Sequence, residues 1–132
     1  MLLEALCREP AEALTLPLVD CDDSVLRSDW QPLLHVLGDG AIESSKRAEI
    51  FHATMARVIL DQACVARQRH GAAQVGLAGG VFQNRILTET VTSMLTANGF
   101  EVYLPLALPC NDAALSFGQV AQIAAGEAYG DG

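Results

Sequence analysis

Val75-Gly76-Leu77-Ala78-Gly79-Gly80-Val81-Phe82-Gln83-Asn84-Arg85 is the stretch on which the reading of the chain turns. A short apolar run meets two glycines, and a polar side chain then opens an amphipathic pattern. Ala73, Val75 and Leu77 alternate as one face of a strand, whereas Leu87, Val91, Met94 and Leu95 share one helical face between residues 84 and 98. The stretch therefore reads as strand, tight turn, helix. Glycine permits a sharp bend and lets backbone N–H groups come close to an anion. Two readings stand for the turn, a plain connection or a loop facing a phosphate. It is not a Walker A loop, because no Gly-Lys-Ser/Thr follows, and it does not have the G-x-G-x-x-G spacing.

Beyond this helix, Asn98-Gly99-Phe100 has the form of a C-terminal cap. Gly99 takes the left-handed position and Phe100 folds back as the hydrophobe. Glu101-Val102-Tyr103-Leu104 is a strand, residues 105–110 a loop, and a last helix starts near Asn111. It is expected to bury Ala113, Phe117, Val120 and Ala124. Before the glycine turn, Ala48, Phe51, Met55, Val58, Ile59 and Ala66 recur at helical spacing, predicting the longest helix from about Glu43 to about Arg69. Arg57 and Asp61 form an i,i+4 pair on it, His52 is a lone histidine of packing or surface character, and Gly71 is its C-cap.

Earlier still, a short helical segment is interrupted by Pro10. Leu16-Pro17-Leu18-Val19 reads as an edge strand and Asp20 to Arg27 as a polar loop. Ser28-Asp29-Trp30-Gln31 has the form of a capping box before a short helix with an apolar face of Trp30, Leu33, Leu34 and Leu37. Gly38-Asp39-Gly40 stops that helix. Helix, strand, helix, strand, helix from residue 43 on is an α/β order. The strands at 74–78 and 101–104 are joined through a helix and should lie parallel, in a small sheet flanked by helices. Residues 1–42 form a helical and irregular lead-in, 43–127 the α/β unit and 128–132 a tail.

Composition excludes several classes. The chain of 132 residues fits one domain or one lobe of a larger one, and 51% hydrophobic against 18% charged residues predicts a real core. A formal net charge of −8 argues against nucleic-acid binding through a phosphate-neutralising surface. No apolar run approaches the roughly 20 residues of a membrane span, and the first residues lack the form of a secretory signal. Cys7, Cys21, Cys64 and Cys110 contain no C-x-x-C pair, so free thiols in a reducing cytoplasm are the simplest reading.

In a parallel α/β sheet, ligands bind beyond the carboxyl ends of the strands. The Gly79-Gly80 turn and the Pro109-Cys110-Asn111-Asp112 loop both follow such ends and should open on one side. Asn84 is an N-cap, or a donor and acceptor toward a sugar or base. Asp112 is a helix-start carboxylate or a metal ligand. From the residues alone, the result is an α/β lobe with a candidate phosphate or nucleotide loop.

Leu77-Ala78-Gly79-Gly80-Val81-Phe82-Gln83-Asn84-Arg85-Ile86-Leu87 resembles the L-S-G-G-V-F-Q-N-x-x-L signature of the HypF family, the carbamoyltransferases of nickel–iron hydrogenase maturation. Pro109-Cys110-Asn111-Asp112-Ala113-Ala114-Leu115-Ser116-Phe117-Gly118-Gln119 resembles the family's P-P-N-D-G-G-x-x-x-G-Q, and Ala48-Glu49-Ile50-Phe51-His52 its A-x-x-F-H segment. The order and separations match over about residues 43–125. Related TsaD-type and antibiotic O-carbamoyltransferases share the Gly-Gly and the Asp but not usually the Phe-Gln.

The resemblance implies one lobe of an actin-like (ASKHA) ATPase domain. It implies a parent reaction in which carbamoyl phosphate and ATP give carbamoyl adenylate, and the carbamoyl group passes to the C-terminal cysteine of a HypE-type partner protein. By position, Gly79 and Gly80 would meet nucleotide phosphates, Asn84 would contact the nucleotide, and Asp112 would ligate a divalent metal (Mg, Zn or Fe); no residue is singled out as catalytic. Ala78 departs from the common Ser, Ala113-Ala114 from Gly-Gly, and Cys110 from Pro. Family members are several times longer. Their N-terminal lobe carries H-x-x-x-H metal histidines, and no two of the three histidines here are four apart. The chain is therefore expected to act as a piece of a cytoplasmic carbamoyltransferase, inactive alone. The alternatives are a stand-alone nucleotide-binding or interaction module without catalysis, or another ASKHA carbamoyltransferase.

Overall fold

The computed structural model describes residues 2–20, 25–105 and 114–129. Its elements in chain order are α1 (Leu2–Leu6), β1 (Leu18–Asp20), β2 (Leu26–Ser28), α2 (Gln31–Gly38), α3 (Ser44–His70), β3 (Gln74–Gly76), a 3-10 turn (Gly80–Gln83), α4 (Arg85–Ala97), β4 (Glu101–Tyr103) and α5 (Leu115–Tyr129). The α/β order is observed. β3 and β4 pair in parallel, with Val75 opposite Val102, and the ladder continues as Leu77 N–H donates to the Tyr103 carbonyl at 2.9 Å. Parallel pairing brings both carboxyl ends to one edge, so the chain leaves β3 and β4 on the same side.

Asp20, Leu26 and Arg27, expected in a polar loop from Asp20 to Arg27, lie instead in strands: β1 and β2 pair antiparallel, with Val19 opposite Arg27, and residues 21–24 lie outside the described residues. The expected capping box also fails, because Ser28 lies in β2 and its hydroxyl accepts from Gln62 Nε2 at 3.3 Å. Trp30 is the N-cap of α2 without a side-chain bond, and Asp29 Oδ1 accepts from the Gln31 amide at 2.9 Å. Of the four residues expected on the apolar face of α2, only Leu33 is fully buried; Leu37 packs beside it, and Trp30 and Leu34 are exposed.

α3 organises the core. Its buried positions include 52, 54, 56, 58 and 60, and residues two apart on a helix point about 200° apart. The helix is therefore covered on two faces. Ala56 and Leu60 join Leu77, Leu87, Val91, Leu95 and Phe100 in the α/β cluster, whereas Val58 joins Leu16 and Leu33 in a second cluster with the lead-in segment. Gly71 ends α3 in the left-handed conformation at φ 71°, where glycine avoids the Cβ penalty.

α4 runs beside α3 in the same direction, since Asn84 at its start meets His52 and Asn98 at its end meets Arg67. The cap at its end forms as expected. Gly99 has φ 77°, the Phe100 amide donates to the Leu95 carbonyl at 3.0 Å, and the Phe100 ring is buried. Arg67 from α3 lies over that ring, 4.1 Å from its centroid, and donates to the Asn98 carbonyl at 2.8 Å.

The last helix departs from expectation. Phe117 and Val120 are 57% and 66% exposed, and Ala124 is exposed as well; Ala113 lies outside the described residues. Helical spacing gathers apolar side chains, but it does not supply a surface to cover them. No described helix is long and apolar enough to cross a membrane.

These environments predict a contrast. Leu95, with no exposed surface, should cost about 3 kcal/mol when replaced by Ala. Val120→Ala should change stability by less than about 0.5 kcal/mol. Urea unfolding of the two variants checks this.

Candidate functional site

The bend after β3 requires glycine at one position. Gly79 has φ 106° and ψ 155°, a region essentially closed to residues with a Cβ. A Cβ built there would meet no atom within 4 Å, so the requirement comes from conformation rather than crowding. The 3-10 turn follows, with the Phe82 amide donating to the Gly79 carbonyl and the Asn84 amide to the Val81 carbonyl, each at 3.1 Å. The Gly80 and Val81 amides open this turn and have no acceptor among the described residues. Both residues are exposed, in the loop that follows the carboxyl end of β3. Such a row of backbone donors is suited to an anion.

The start of α4 itself is already filled. Asn84 is the N-cap, and its Oδ1 accepts from the Leu87 amide at 2.9 Å. Glu4, from α1, reaches over so that its Oε1 accepts from the Arg85 amide at 2.8 Å and the Ile86 amide at 3.3 Å. The first three amides of α4 are therefore satisfied from within the protein, and the open donors lie one turn earlier. Sequence reasoning found the glycine turn and missed Glu4, because nothing local links a glutamate in α1 to a helix 81 residues on.

Next to Asn84, α3 carries buried polar side chains on more than one face. Glu49, His52 and Thr54 are all buried. The Glu49 carboxylate accepts from the backbone amides of Arg8 and Glu9, both at 3.0 Å, and Thr54 Oγ1 accepts from the Leu14 amide at 3.0 Å. These bonds hold the lead-in segment against α3. His52 Nδ1 donates to the Ala48 carbonyl at 2.7 Å, and its Nε2 is 2.7 Å from Asn84 Nδ2. Cys7 Sγ lies 3.4 Å from His52 Nδ1. Burial, then the carboxylates of Glu49 and Glu4, push the Cys7 thiol above its ordinary value of 9.0, so it is protonated at neutral pH. A pocket of about 90 Å³ between the lead-in segment and α3 is lined by Cys7, Glu9, Glu49, His52, Ile86 and Thr90. His52 reads in the sequence as a lone histidine and Glu49 was missed; their i,i+3 spacing on one helix is the signal that pairs them.

Of the four residues singled out in the sequence, Gly79, Gly80 and Asn84 lie together at this edge. Asp112, with Cys110, Asn111 and Ala113, lies outside the described residues. Among the described residues, no group of three or more His, Cys, Asp or Glu side chains could hold a metal ion. The described part of the chain thus offers donors for an anion and no metal centre of its own.

Comparison with known proteins identifies the family. The family described as carbamoyltransferase, Kae1-like domain, second subdomain, matches residues 1–119. The chain is 37% identical over 125 residues to a carbamoyltransferase HypF homolog of Cupriavidus necator, covering 89% of this chain and 32% of that protein. It is 34% identical over 94 residues to carbamoyltransferase HypF of Rhizobium leguminosarum bv. viciae, covering 70% of this chain and 12% of that protein. The crystal structure of full-length HypF in its phosphate- and nucleotide-bound form superposes with a TM-score of 0.81 at 32% identity, over 89% of this chain and 16% of that one. HypF of T. kodakarensis shares the fold, with a TM-score of 0.69 at 20% identity over 89% of this chain and 15% of that one. The chain thus spans a third or less of each of these proteins.

The hold on the lead-in segment should be acid-sensitive. The Arg8 amide first, then the Glu9 amide, with Lys46 adding to them, keep the Glu49 carboxyl below its ordinary value of 4.5 despite desolvation. A depressed carboxyl contributes stability above its unfolded value and loses it as pH falls through the folded one. Hydrogen exchange at Arg8 and Glu9 should therefore accelerate, beyond its intrinsic pH dependence, as pH drops below 4.5. Glu49→Gln should abolish that extra acceleration.

Proposed function

Because the chain belongs to the HypF-type carbamoyltransferase family, through the second subdomain of its Kae1-like domain, we propose that it forms one wall of a nucleotide site. The observation that carries this reading is the pair of amides on the exposed Gly80 and Val81 that have no acceptor among the described residues, in the turn that follows β3. A helix-start carboxamide, Asn84, stands beside them. The likeness to a HypF structure described as phosphate- and nucleotide-bound supports a nucleotide as the ligand class.

In this proposal ATP lays its phosphates against the Gly79-Gly80 turn, and Asn84 contacts the nucleotide. Asp112 adds one carboxylate toward a divalent metal, whose remaining ligands come from the rest of the longer protein. A divalent cation there would offset the charge of the phosphate oxygens. The glycine turn orients and binds, and Glu4 and Asn84 keep the start of α4 fixed behind it. The whole protein would use carbamoyl phosphate and ATP to make carbamoyl adenylate. It would then carbamoylate the C-terminal cysteine of a HypE-type partner in the cytoplasm, toward the cyanide ligands of a nickel–iron hydrogenase. The exposed Leu115, Phe117, Val120 and Ile123 of α5 favour a chain that works against a further lobe rather than alone.

Calorimetric titration of the chain with ATP and Mg²⁺ tests the reading. Saturable binding is expected, and Asp112→Ala should weaken the Mg²⁺-dependent part by about tenfold, as loss of one charge-assisted contact does. Equal affinity in that variant would remove Asp112 from the site, and an absence of heat in the unaltered chain would remove the nucleotide.

A further inference from the structure

The hydrogen bonds around Asn84 and His52 leave little freedom in either side chain. The Leu87 backbone amide can only donate, so the Asn84 atom facing it at 2.9 Å is the carboxamide oxygen. The nitrogen of that carboxamide then faces His52 Nε2 at 2.7 Å. An amide nitrogen can only donate, so Nε2 must accept and carry no proton. The other ring nitrogen, Nδ1, faces the Ala48 carbonyl at 2.7 Å, which can only accept, so the ring proton sits on Nδ1. Cys7 completes the set: its S–H donates to the Leu3 carbonyl at 3.5 Å, leaving the sulfur as a weak acceptor 3.4 Å from Nδ1. Every role agrees, and His52 is only 3% exposed. The Phe51 ring meets the imidazole edge-on with centroids 5.4 Å apart.

We propose that His52 is a positioning residue that fixes the Asn84 carboxamide so that it presents a single N–H donor to a ligand. Resting on the nucleotide reading above, this names the group recognised at Asn84: a hydrogen-bond acceptor of the nucleotide, such as a hydroxyl oxygen, a ring nitrogen or a phosphate oxygen. The carboxamide oxygen is committed to Leu87 and one N–H to His52, so the second N–H is what remains. Without the imidazole, the Asn84 nitrogen would lose its buried partner and the outward N–H its fixed direction. A glutamine at position 52 supplies an acceptor oxygen in place of Nε2, whereas leucine supplies none.

Two measurements on the 132-residue chain decide this. The first is a long-range nitrogen–proton spectrum of the imidazoles, with His52 assigned by the signal lost in His52→Gln. The expected result is a proton on Nδ1 and a bare Nε2, whose resonance moves in Asn84→Ala; a proton on Nε2 in the unaltered chain overturns the proposal. The second is ADP titration. His52→Leu should weaken binding by about tenfold and His52→Gln by less than about threefold, the scale of one hydrogen bond. Asn84→Asp keeps an acceptor for Leu87 but has no N–H, and should lose as much as His52→Leu. Unchanged binding in Asn84→Asp, or in a folded His52→Leu, would overturn the proposal. If the unaltered chain takes up no ADP, the nucleotide reading fails, and the imidazole spectrum alone decides whether His52 fixes Asn84.

Discussion

The seam between α3 and α4 is the constraint on which the rest of this structure depends. Ala56 and Leu60 on one helix meet Leu87, Val91 and Leu95 on the other, and Leu77 and Phe100 join them from the ends of the strand segments. Polar contacts pin the seam at both ends: His52 to Asn84 where α4 starts, and Arg67 to Asn98 and Phe100 where it finishes. With α4 fixed along its length, the direction in which the chain enters it is fixed as well. The glycine turn can then hold Gly79 in a conformation closed to other residues and leave the Gly80 and Val81 amides without an acceptor among the described residues.

The lead-in segment is part of this arrangement. Residues 4 to 14 are held to α3 and α4 by Glu4, by Glu49 and by Thr54, all through backbone amides. One of these contacts fills the start of α4, the place where a helix most readily takes an anion. In the proposed site, a ligand phosphate would thereby be directed to the 3-10 turn. The site is thus a product of two distant stretches, one bending the backbone and one closing the alternative position.

Local features were legible in the sequence. The long helix, both parallel strands, the Asn84 cap and the Gly99-Phe100 closure each follow from neighbours within a few residues. The Gly-Gly turn was legible as a turn, and its family signature fixed the family. Contacts between distant polar residues were not legible: Cys7 with His52 and Glu4 with Arg85 join positions 45 and 81 apart, with no periodicity to announce them. Ser28 was misread because strand pairing and helix capping both suit a serine, and pairing with Leu18 prevails. Phe117 and Val120 were misread because a helical pattern cannot say what lies opposite.

The proposed nucleotide would bind at the turn before α4 rather than at the helix start. Mapping backbone amide resonances during ADP addition tests it most directly. The account predicts saturable shifts at Gly79, Gly80 and Val81, with Arg85, Ile86 and Leu87 moving little because Glu4 and Asn84 already occupy their amides. Shifts centred on Arg85 to Leu87, or none at Gly79 to Val81 at saturation, would contradict it.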